Sequence, residues 1–143
     1  MKRSIALIAL FAGFLAMIFP VTTLAAFDSG FILSDAVMTN YRSMNKADIQ
    51  YFLESNGSVL ATLYARDDDG RSRTAADMIY QACQDYLINP QVILTKIQQE
   101  SSLIRNGTAT QRQLDRILGY GIPDSGIANP VYAGFFNQVD GAT

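Results

Sequence analysis

Apolar and polar positions divide the chain into a leader with no polar face and a body with helical period. Residues 4–19 form an almost unbroken apolar run. Within residues 43–55, Ile49, Phe52 and Leu53 are spaced i, i+3, i+4, which predicts a helix ended by Asn56-Gly57. Residues 59–64 are β-branched, apolar or aromatic, and their state stays open. Asp67-Asp68-Asp69-Gly70 reads as a solvated polar turn; it lacks the spacing and the distal Glu of a calcium loop. The best-specified stretch begins at Thr74, where Thr74 and Asp77 resemble a capping box. Ala75, Met78, Ile79, Ala82, Cys83 and Tyr86 then share one helical face. Asn89 and Pro90 open the next helix, expected to run to about Ile104 and to stop at Asn106-Gly107. Thr110 and Gln113 form a second capping box for a helix through Leu118, broken by Gly119-Tyr120-Gly121. After a loop rich in Gly, Pro and Asn, residues 132–139 form a last helical candidate. The fold class is mostly α, with little room for a sheet.

The leader has its own meaning. Lys2 and Arg3 precede the apolar run, Pro20 stops it, and Thr23 and Ala25 are the small residues a signal peptidase reads. The run is shorter than the roughly 20 residues that span a bilayer comfortably. Residues 1–25 are therefore expected to be a signal peptide cleaved after Ala25, with an uncleaved anchor as the alternative and the only route to a membrane. Residues 26–70 read as an N-terminal segment with one helix, and residues 71–143 as a helical domain. The location is secreted or in the cell envelope.

Charge and residue usage narrow the chemistry. Beyond the leader remain nine basic and thirteen acidic side chains, a net of about −4, which speaks against nucleic acid as a partner. Cys83 is the single cysteine, so packing rather than an intrachain disulfide must hold the domain. Histidine is absent, which removes His-assisted nucleophiles, His bases and His metal ligands. No cofactor and no metal are expected, and the protein is expected to act as a monomer.

Acid–base chemistry then falls to carboxylates. The body has two glutamates, and Glu54 sits at a solvated helix end. Glu100 lies three residues after Ile97 and four before Ile104, so at about 100° per residue it borders their apolar stripe. Desolvation there would raise its pKa and keep a proton available near neutral pH, as a glycosidase acid requires. The plain alternative is a solvated glutamate, or one neutralised by Lys96 or Arg105.

The stretch from Ile93 to Ile104, with Gln98-Gln99-Glu100-Ser101 near its end, resembles the catalytic helix of the lysozyme-like superfamily, which includes soluble lytic transglycosylases and goose-type lysozymes. The resemblance extends to Ala-Asp-Met-Ile-Tyr-Gln-Ala at 76–82, Ile-Asn-Pro-Gln-Val-Ile-Leu at 88–94, Gly-Tyr-Gly-Ile-Pro-Asp at 119–124 and Gly-Phe-Phe-Asn-Gln-Val at 134–139. It implies a small lysozyme-like domain that cleaves peptidoglycan glycan strands with Glu100 as catalytic acid. In such enzymes the serine that here is Ser101 helps orient neighbouring groups, and a loop like Gly119-Tyr120-Gly121 faces the acid across the groove. Tyr120, Tyr132, Phe135 and Phe136 would stack on sugar rings or else belong to the core. Asn137 and Gln138 would hydrogen-bond N-acetyl groups. Two departures stand out. Ile122 occupies a position that is commonly cysteine in the resembling proteins. The chain also ends at Thr143, where such domains usually continue, so the domain is incomplete or its groove shallow. With one good glutamate, transglycosylation suits the sequence better than two-carboxylate hydrolysis. The competing readings are a glycan-binding module without activity and a structural envelope protein with no sugar site.

Overall fold

The computed structural model describes residues 32–126 and 129–143. The signal-peptide reading of residues 1–25 falls outside them. Among the described residues no helix is long and apolar enough to cross a membrane.

Each helix starts where a side chain can satisfy its free N–H groups. Ser34 caps α1 (Asp35–Met38). Asn45 and Asp48 form a reciprocal capping box on α2 (Lys46–Ser55), three residues later than the sequence suggested. The open segment becomes a 3₁₀ turn at Val59–Thr62, followed by strand β1 (Tyr64–Arg66), which pairs antiparallel with β2 (Ser72–Thr74). Thr74 caps α3 (Ala75–Asp85), Asn89 caps α4 (Pro90–Ser101), and Thr110 and Gln113 box α5 (Gln111–Leu114). A 3₁₀ turn at Pro130–Tyr132 leads into α6 (Phe135–Ala142). The described chain is thus mostly α, with one two-stranded hairpin.

The residues from Leu33 to Thr143 form one compact unit. Its core joins Ile49 and Leu53 of α2, Leu60, Ile79 and Cys83 of α3, Ile93 and Ile97 of α4, Ile117, and Phe135 and Val139 of α6. One core therefore spans the boundary drawn at residue 70. The expected face of α3 is buried apart from Tyr86, which is 49% exposed and donates its hydroxyl to Asp140 Oδ1 at 3.3 Å.

Several local expectations are corrected. The helix expected through Leu118 ends at Leu114, and the last helical candidate runs from Phe135 to Ala142 instead of 132–139. Helix α4 ends at Ser101, not Ile104, because Ser102 takes the left-handed conformation with φ 60°. On a continued helix Leu103 would project about 120° away from the Ile97–Ile104 stripe; the break lets Leu103 and Ile104 both bury. Asp67, read as part of a solvated turn, is 9% exposed. Its Oδ1 accepts the Arg71 N–H at 2.7 Å and its Oδ2 accepts from Arg73 Nε at 2.7 Å. Arg73 also reaches Asp77, which pairs with Lys46 at 3.1 Å, so the charges tie the hairpin to α3 and α2.

Candidate functional site

Glu100 stands in the last turn of α4, whose inner face is fixed by Ile93, Leu94 and Ile97. The helix-wheel expectation for it is corrected: Glu100 is solvent-exposed. Among the described residues it makes no ion pair with Lys96, Arg105 or any other cation. Beside it stands the glycine loop: Glu100 Oε2 lies 3.8 Å from where a Cβ on Gly119 would stand.

That loop is built by a buried amide. Gln138 is 1% exposed. Its Oε1 accepts the N–H groups of Leu118 and Tyr120 at 3.3 and 3.2 Å, and its Nε2 donates to the carbonyls of Tyr120 and Tyr132 at 2.8 Å each. Gly119 and Gly121 take φ of 71° and 67°, a region that favours glycine. At Gly121 a Cβ would stand 2.1 Å from the Tyr132 ring, and at Gly141 2.2 Å from the Tyr120 ring, closer than either could accept. The two tyrosines meet edge to face, 5.0 Å between centroids. Tyr120 keeps 37% of its surface exposed.

The structure thus places Glu100 beside Gly119 and packs Tyr120, Gly121, Tyr132 and Gln138 around the same loop. Gln138 has both polar atoms committed to backbone groups and none to offer a sugar. Phe135 is core at 3% exposure. Ser101 donates its hydroxyl to Ile97 O at 2.7 Å, within its own helix. Asn137 donates to Ala133 O at 2.8 Å and, with Phe136, lines a cavity of about 540 Å³ that neither Glu100 nor Gly119 touches. The carboxylates of Asp67, Asp68 and Asp69 lie within 4.8 Å of one another. Both Asp67 oxygens are taken by arginines, so the cluster is a poor cation ligand set.

Fold and site together define a small, mostly α domain with an exposed acid beside a glycine turn. Residues 31–140 match the family model described as LasA, N-terminal domain, and the chain belongs to that family. Comparison with curated proteins and with solved structures gives no match.

Proposed function

We propose that this protein is exported and cleaves the glycan strands of peptidoglycan as a lytic transglycosylase, with Glu100 as acid and then base. The observation that carries the reading is the carboxylate of Glu100, exposed and free of cations among the described residues, 3.8 Å from the Cβ position of Gly119. A glycan strand laid across both would meet backbone at Gly119 without a side chain in the way. It would also exclude water from Glu100. Glu100 then protonates the leaving glycosidic oxygen. The resulting carboxylate takes the proton of the sugar's own C6 hydroxyl, which closes a 1,6-anhydro ring. Tyr120, partly exposed and packed against Tyr132, would contact one sugar. A family found in exported bacterial proteins accords with the location.

Glycan binding without cleavage is the second reading. It is favoured by the absence of Glu100 from the lining of each of three cavities of 450 to 540 Å³. Turbidity of a suspension of purified sacculi separates the two. The full chain is expected to clear it, and Glu100→Gln to sediment with the sacculi without clearing them. If neither protein clears the suspension yet both sediment with it, the binding reading replaces cleavage.

A further inference from the structure

Strand β1 has one edge without a partner. Asp67 N–H donates to Arg71 O and Ala75 N–H to Leu63 O, each at 3.0 Å, so in the antiparallel register the backbone groups of Leu63, Ala65 and Asp67 face β2. Those of Tyr64 and Arg66 point the other way, and their N–H and C=O groups have no protein partner among the described residues. The whole of β1 lines a cavity of about 450 Å³ whose other walls come from α5 and the start of α6, with no residue of β2 among them. This cavity shares Asp67, Asp68, Phe136 and Asn137 with the one of about 540 Å³, so the two run together as a groove. In the larger part Asp68, Asp85 and Asp140 have no cation partner among the described residues. The two cations of the groove are already engaged: Arg73 is held by Asp67 and Asp77, and Arg66 Nη1 donates to Gly70 O at 2.8 Å.

We propose that this groove binds an extended polypeptide segment carrying a lysine or arginine. The segment adds to the open edge of β1 as a third strand, and its basic side chain enters the acidic part of the groove. The outward groups of Tyr64 and Arg66 recur about 6.6 Å apart, the repeat at which an extended chain presents its own N–H and C=O. A polyamine brings cations but no acceptors for the two N–H groups. A glycan of N-acetylated sugars brings donors and acceptors but no cation for the three carboxylates. A basic peptide answers both. Glu100 lines neither part of the groove, so the proposal does not depend on its chemistry.

The test is calorimetric titration of the full chain, at low salt, with acetyl-Thr-Val-Lys-Val-Thr-amide. Saturable binding is expected, about fivefold weaker when norleucine replaces the lysine. Asp68 and Asp85 are exposed, so replacing both by Asn leaves the core intact and should erase that preference while leaving the norleucine peptide unchanged. Strand pairing is read separately. Of two peptides, one N-methylated on both valines and the other on the lysine and the last threonine, one should lose binding and the other keep it, because alternate residues face β1. Arg66→Pro removes an outward N–H that β2 does not use, and should abolish binding with the fold retained, whereas Arg66→Gln should bind as the native chain does. Equal affinity for the lysine and norleucine peptides, equal binding of the two methylated peptides, an unchanged affinity in Arg66→Pro, or no saturable binding overturns the proposal. Displacement of the peptide by an equal concentration of chitotetraose overturns it in favour of a sugar groove.

Discussion

Gln138 is an amide at a position where an inward helix face ordinarily carries an apolar side chain. It persists there because the glycine loop has backbone groups that no secondary structure satisfies. Replacing it by Leu keeps the volume but orphans two N–H and two carbonyl groups. Some of these can turn to water, so the expected loss is about 2–3 kcal/mol in urea unfolding, together with broadened backbone resonances at residues 118–121. A loss below about 0.5 kcal/mol would mean that the loop holds itself. The sequence brought Gln138 forward as a sugar ligand because an amide near aromatics suits an N-acetyl group. Spacing does not tell which way a side chain points when its helix starts at Phe135 instead of Tyr132. Glu100 was legible as a residue and not as an environment: its place in the last helical turn decided its exposure, and that depended on the break at Ser102.

At the scale of elements, capping residues were the readable part. Asn89, Thr74 and Thr110 each start a helix where the sequence placed one, since a cap needs only a few consecutive residues. The end of α4 was less readable because the burial of Leu103 and Ile104, set by packing from other elements, chose it. The hairpin was unreadable for a related reason. Its strands are three residues each, and what steadies them is the pairing of Asp67 with Arg71 and Arg73. Burial alone would raise the Asp67 pKa. The Arg71 N–H and then the Arg73 hydrogen bond and nearby positive charge outweigh it and hold the group below its usual 3.8. A depressed carboxylate contributes its stability above the unfolded value and loses it as pH falls through the folded one. Unfolding free energy should therefore fall as pH drops below about 4, and Asp67→Asn should flatten that slope while lowering stability at neutral pH. An unaltered slope in the variant would assign the acid sensitivity to other carboxylates.

The unit from Leu33 to Thr143 shares one core drawn from Ile49 to Val139, with Cys83 buried in it. Burial pushes Cys83 up to about 12, so almost no thiolate exists at neutral pH. Iodoacetamide should leave the native protein unmodified and alkylate Cys83 fully in denaturant; fast native labelling would show that the core opens. Mostly α architecture was legible at this scale because it needs only period and composition. That residues before and after position 70 share a core was not, since no pattern along one segment records what packs on it.

The central claim is that Glu100, facing the Gly119 loop, breaks the glycan by anhydro-ring closure. Its most direct test is mass spectrometry of muropeptides released from purified sacculi by the full chain and by Glu100→Gln. The account predicts 1,6-anhydro-muramic products from the native protein and none from the variant. Reducing-end products, or release by the variant at the native rate, would contradict it.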